Sequence, residues 1–251
     1  MADGRALIVG ASRGLGAYVA QELARRGWDV VGVARSPRPD VPGEDSFAYV
    51  QADIGSEEQL AALAARVDPL PDLVVVTAVT YLEKTNEAPR LEELERVFRV
   101  NALAPYVFVS ELLAQKVNED ASASVVVVNS EAMFQADADS GVHGASKAAL
   151  RVLTAALADR CRGRNVSVST LLLGPLADKK LDELRRVAER RGVALDEITR
   201  LFLRKSNPNL VLERLIDYEA CLASILYMHG LGSTANGMVC RLDGGSAGSL
   251  I

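Results

Sequence analysis

Short valine-rich runs, separated by longer stretches of helical period, recur from the first ten residues of this chain to its last twenty. Four to eight apolar residues in a row, rich in β-branched side chains, suit strands buried on both faces, and the longer amphipathic stretches between them suit helices that cover those faces. Such an alternation folds into a parallel sheet, because each strand must return by a crossover before the next begins. The spacing predicts strands at Ala6–Val9, Asp29–Ala34, Phe47–Gln51, Asp72–Thr77, Ser124–Asn129, Val166–Leu172 and Met238–Leu242. Helices are predicted at Gly14–Arg26, Glu57–Val67, Leu91–Val117, Ser146–Arg162 and Ile216–His229. The expected fold class is α/β: one doubly wound parallel sheet of about seven strands, with ligands bound beyond the carboxyl ends of the strands.

With 251 residues the chain is expected to be one domain, 1–251. One segment breaks the rhythm. Between Pro175 and Leu215 the period is helical and the composition crowded with Lys, Arg, Asp and Glu. It reads as a helical flap over the substrate site, or as a solvated helical pair with a packing role only. The net charge of −5 is spread along the chain, and no basic stripe suggests nucleic acid or a membrane surface as partner. The apolar runs are too short to cross a bilayer. The first residues enter a strand without the pattern of a secretory leader, so the expected location is cytoplasmic. Cys161, Cys221 and Cys240 are odd in number, far apart and set in apolar runs, which suits reduced core thiols and neither a disulfide framework nor a metal site. His229, near a helix end, is expected to meet the terminal carbonyls.

The first strand runs into the first helix through "GASRGLG", residues 10–16. Gly10, Gly14 and Gly16 let the backbone approach a pyrophosphate, and the helix start beyond them offers free N–H groups and the positive end of a dipole. Ser12, Arg13 and Leu15 complete this candidate dinucleotide turn. At the end of the second strand, where an acid would bind an adenosine ribose, stand Ala34 and Arg35. An arginine there can clasp a 2′-phosphate, with Arg13 reaching the same group, so the cofactor indicated is NADP(H). Asp53 and Ile54 could flank the adenine, or Asp53 could make an ordinary strand-end turn.

The glycine turn, "VNALAPYVF", "GASKAAL" and "RLDGGSAGSLI" together resemble the short-chain dehydrogenase/reductase family along the whole chain. The resemblance implies a seven-stranded Rossmann-type sheet, a nicotinamide cofactor, a small-molecule substrate and a catalytic tetrad of Asn, Ser, Tyr and Lys. Asn101 matches the asparagine that holds a relay water, Ser130 the serine that orients the carbonyl, and Lys147 the lysine that binds the nicotinamide ribose. His143, four residues before Lys147, stands where the family has its proton-donating tyrosine. An imidazole can donate a proton near neutral pH, but it is shorter than a phenol, and a lysine cation beside it disfavours the imidazolium. Ala78 alone is kept from the family's segment after the fourth strand, where Val79 replaces a glycine; Leu173 and Asp178 replace a proline and a threonine after the sixth. The adenosine half of the pattern is nearly whole and the nicotinamide half altered. The reading this favours is an NADP(H)-dependent ketoreductase of a bulky or specialised substrate. A non-redox enzyme on the same scaffold and an inactive cofactor-binding partner protein are the alternatives. The family's pairing helices imply a homodimer or homotetramer, with the tail "SAGSLI" docked in a neighbour.

Overall fold

The computed structural model describes residues 4–38, 47–83, 88–116, 122–135, 140–206 and 208–246. Seven strands, β1 (Arg5–Val9), β2 (Asp29–Ala34), β3 (Ala48–Gln51), β4 (Leu73–Val76), β5 (Ala123–Ser130), β6 (Val166–Leu173) and β7 (Val239–Leu242), form one parallel sheet in the order β3-β2-β1-β4-β5-β6-β7. Strand side chains alternate between faces, and here both faces are apolar. Val74, Val76, Val125 and Val127 join one core, and Leu73, Val75 and Val126 the other. On the first face the sheet is covered by α2 (Glu57–Arg66), α4 (Ala104–Lys116) and α5 (Gly141–Arg160), which bury Leu60, Phe108, Leu112, Leu150 and Leu157. On the second, α1 (Gly14–Arg25) and α8 (Tyr218–Gly230) bury Val19, Leu23, Leu222, Ile225 and Met228. The unbroken valine runs of the sequence are thus strands with no solvent face.

Between β1 and β4 the strand order reverses, which opens a crevice at their carboxyl ends. The helix expected over Leu91–Val117 lines it, but in three parts: α3 (Leu91–Phe98), a π-helical turn at Arg99–Leu103, and α4. Pro105 explains the break. It has no N–H to give the carbonyl of Asn101, and its ring would collide with that carbonyl in a regular helix. The wider turn instead carries the Ala104 N–H to the carbonyl of Arg99. The same stretch, Leu91–Ala114, is long and apolar enough to pass for a membrane span, but Val97, Ala102, Phe108, Val109 and Leu112 bury it in the core.

The helix expected to begin at Ser146 begins at Gly141. Gly144 permits this, since a Cβ there would lie 2.3 Å from the carbonyl oxygen of Ala132, in the short 3₁₀ turn after β5. The earlier start puts His143 and Lys147 one turn apart on the same helix face. The charged segment 175–215 holds two helices, α6 (Lys179–Arg191) and α7 (Leu195–Ser206), turned about Gly192 at φ 64°. Leu184, Ala188, Ile198, Leu203 and Leu215 give it a small core of its own. His229 does not follow the sequence expectation: its ring meets Trp28 edge-on at 5.4 Å. The tail "SAGSLI" lies outside the described residues from residue 247 onward.

Candidate active site

The turn after β1 folds back on β2, with the N–H groups of Gly10 and Ala11 both donating to the carbonyl of Val33 (2.7 and 3.0 Å). Gly10 holds φ 102°, and a Cβ on it would lie 2.5 Å from Thr77 Oγ1; one on Gly16 would lie 2.3 Å from the Gly10 carbonyl oxygen. These two glycines are demanded by packing. Gly14 is different: at φ 60° its missing Cβ faces open space, with only Tyr218 Oη at 3.4 Å. Arg13 is the N-cap of α1 and gives it no side-chain cap, so the helix start remains available to an anion. Leu15 sends its side chain into the core, Ser12 is half-buried, and Arg13 is exposed. An open glycine face, an uncapped helix start and an exposed cation fit a dinucleotide pyrophosphate.

Arg35 is exposed at the end of β2, with its carbonyl accepting from Gln51 Nε2 at 3.1 Å. Asp53 makes the turn that leads into α2: its carboxylate accepts the Gly55 N–H at 2.8 Å and its own N–H donates to Gln59 Oε1 at 2.9 Å. Ile54 is buried beside it, and Ala78 is half-buried behind the glycine turn.

Ser130 and Lys147 meet through a residue that the sequence reading passed over. Asn129, buried at the end of β5, accepts the Ser130 N–H at 2.8 Å and donates to the carbonyl of Lys147 at 3.1 Å. The only hint of it was one polar letter closing a run of four valines. Lys147, placed on a first helical turn where solvent would be expected, is 4 % exposed. Its ammonium donates to the carbonyl of Val128 at 3.2 Å, and burial pulls its pKa down to about 8. The Ser130 hydroxyl accepts the Ala132 N–H at 3.2 Å.

Burial first, and then the charge of Lys147, lower the pKa of His143 to about 4, so its imidazole is neutral at pH 7. Its Nδ1 is buried with no hydrogen-bond partner among the described residues. Asn101 is fully buried and its side chain is committed. Oδ1 accepts the Thr80 N–H (2.8 Å), while Nδ2 donates to the Thr80 carbonyl (2.9 Å) and to Ser146 Oγ (3.1 Å). The Asn101 side chain thus clasps the loop after β4 to α5. Beyond Thr80, the ring of Tyr81 lies on His143 with centroids 4.7 Å apart and planes at 33°. No motif or period pointed to Tyr81. Asp178, after β6, caps α6 by accepting the Lys180 N–H at 2.9 Å. Among the described residues no cluster of His, Cys, Asp and Glu is fit to hold a metal.

A doubly wound parallel sheet, with an open glycine turn after β1 beside its switch point, defines an α/β fold of the dinucleotide-binding kind. A family model described as short chain dehydrogenase matches residues 5–187. The chain belongs to that family, whose members are oxidoreductases that use a nicotinamide cofactor and act on small molecules. It is 27% identical over 230 residues to an L-xylulose reductase of Caenorhabditis elegans, covering 83% of this chain and 91% of that one. To a 3-hydroxyacyl-CoA dehydrogenase type-2 of Drosophila melanogaster it is 30% identical over 258 residues, covering 95% of each. Its fold superposes on L-sorbose reductase of Gluconobacter frateurii, solved with NADPH and L-sorbose, with a TM-score of 0.78 at 18% identity, covering 99% of this chain and 98% of that one.

Proposed function

We propose that this oxidoreductase is an NADP(H)-dependent reductase of ketones, with an altered proton-donating position at His143. The observation that carries the reading is the Asn129 clamp, which ties the Ser130 backbone N–H to the Lys147 backbone carbonyl at the carboxyl end of β5, while the buried Lys147 ammonium donates to the Val128 carbonyl. Arg13 and Arg35, both exposed and with no acid at the end of β2, would hold the 2′-phosphate. Gly10, Gly14 and Gly16 would admit the pyrophosphate to the start of α1, and Lys147 would donate to the nicotinamide ribose. When bound, the cofactor supplies hydride. Ser130 donates its hydroxyl hydrogen to the carbonyl oxygen of the substrate and fixes its orientation. Lys147 keeps a positive charge at neutral pH beside the reacting oxygen, where negative charge develops. The pair α6–α7 serves as a flap that favours a bulky, partly apolar substrate.

An L-sorbose reductase of the same fold was solved with NADPH, which favours the phosphorylated cofactor here. Purified protein titrated with NADPH and NADH should bind NADPH more tightly, and Arg35→Asp should reverse the preference. Loss of NADPH absorbance would then be followed with L-xylulose, L-sorbose and a 3-ketoacyl thioester. Equal binding of the two cofactors, or NADPH oxidation by none of these ketones, would overturn the reading. A neutral His143 also suits a base in a non-redox reaction, and product formed without net oxidation of NADPH would select that reading instead.

A homodimer is proposed through α4 and α5, where Val107 and Val152 are exposed apolar residues, along with Leu103 at the end of the π turn before α4. A monomer by light scattering would refute it. A reducing cytoplasm is the proposed location, where Cys161 and Cys221 persist as buried thiols whose pKa burial raises.

A further inference from the structure

Burial, and then the charge of Lys147, lower the pKa of His143 to about 4, which disfavours the imidazolium as the acid at pH 7. A second proton-bearing side chain stands directly on it. Tyr81 leaves the loop after β4 with its backbone pinned on both sides: Asn101 clasps both polar groups of Thr80, and Arg96 Nη2 donates to the Tyr81 carbonyl at 3.5 Å. One ring face lies on His143, and the residue as a whole is 57 % exposed to solvent. The charges felt by its phenol come from Arg13 in the glycine turn and Asp178 after β6. Tyr81 follows β4, on the loop at the carboxyl end of a strand that flanks the switch point of the sheet. Its O–H has no hydrogen-bond partner among the described residues.

We propose that Tyr81 is the catalytic acid of this site, a phenol brought from the loop after β4 onto the ring of His143. The proposal rests on the ketone-reductase reading above. As hydride from the reduced nicotinamide reaches the carbonyl carbon, the C=O π pair passes to oxygen. The Tyr81 O–H bond breaks, and its proton forms the O–H bond of the alcohol. The phenolate left behind recovers a proton from water through the exposed part of the residue. His143 is the platform that fixes the ring, a role that needs a flat side chain of similar size and no titration. Burial and Asp178 hold the Tyr81 pKa above the usual phenol value, so the donor is fully protonated throughout the neutral range.

The test compares Tyr81→Phe, His143→Phe and wild type by NADPH binding, by ketone reduction, and by phenol absorbance at alkaline pH without cofactor. Tyr81→Phe should lower kcat roughly a hundredfold or more, as loss of a positioned acid does. It should leave the NADPH Kd within about twofold of wild type, since the change removes one hydroxyl that no ribose or phosphate contact requires. His143→Phe, which keeps a platform, should stay within about tenfold of wild-type kcat. The wild-type minus Tyr81→Phe alkaline difference spectrum should show one phenol ionising above the ordinary tyrosine range near 10. A Tyr81→Phe protein that reduces ketones at the wild-type rate, or loses NADPH binding in step with turnover, overturns the proposal and leaves the reductase reading standing. Wild type that oxidises NADPH with no ketone overturns the reading, and the proposal with it.

Discussion

Replacing Lys147 with methionine should make the protein more stable and inactive at once. The residue is 4 % exposed, and burial alone lowers its pKa from 10.5 to about 8. At about 1.4 kcal/mol per pH unit, keeping it charged at pH 7 costs the fold about 3 kcal/mol. Methionine, similar in length and apolar, removes that cost but forfeits the hydrogen bond to the Val128 carbonyl, worth about 1.5 kcal/mol with a charged donor. The difference is a gain of about 1–2 kcal/mol, or roughly 2–8 °C in Tm for a domain of this size. The pH dependence is the sharper mark. Because the folded pKa lies below the unfolded one, wild-type stability should rise as pH goes from about 8 towards 10.5, and fall back as pH returns through 8. Lys147→Met should lack that rise. Thermal melts of both proteins from pH 7 to 10, followed by circular dichroism, test it. A variant that melts below wild type at pH 7 and keeps the alkaline rise would refute the reasoning.

His143, with its pKa lowered from 6.5 to about 4, contributes stability that is full above pH 6.5 and lost as pH falls through 4, up to about 3 kcal/mol. His143→Phe should therefore flatten the melting curve between pH 6.5 and 4, and an unchanged acid slope would contradict the assignment. Gly10→Ala should fail to fold stably, because its Cβ would strike Thr77 Oγ1 at 2.5 Å at a φ of 102°; Gly14→Ala should fold, losing about 1 kcal/mol for its φ of 60°, yet bind NADPH poorly. Urea titration and cofactor fluorescence separate the two outcomes. Asn101→Ala removes three hydrogen bonds, one of them fully buried, and leaves both polar groups of Thr80 without their clasp, which should lower stability by about 3 kcal/mol and loosen Tyr81. A denaturation midpoint equal to wild type would count against that role.

The strand runs, helix periods and glycine turn are local properties, and the sequence by itself determined them: a valine run apolar on both faces can be satisfied only between two layers of helix. Motif spacing likewise singled out Ser130 and Lys147, whose backbones the fold links through Asn129, and the proline of "VNALAPYVF" carried the reason for the π turn, although the turn itself was not foreseen. The start of α5 was misplaced because Gly141 and Gly144 weaken a helix locally. Only the contact with Ala132 shows that Gly144 is there for close approach. Burial of Lys147, the Asn129 clamp, the Asn101 clasp on Thr80 and the ring of Tyr81 on His143 were decided by tertiary structure alone. Each joins groups brought together when β4, β5 and α5 pack, and no periodicity records which side chain will face which across a sheet edge. The pKa of a buried group follows from those same neighbours, so the sequence could place a histidine beside a lysine while only the fold determined that it would be neutral.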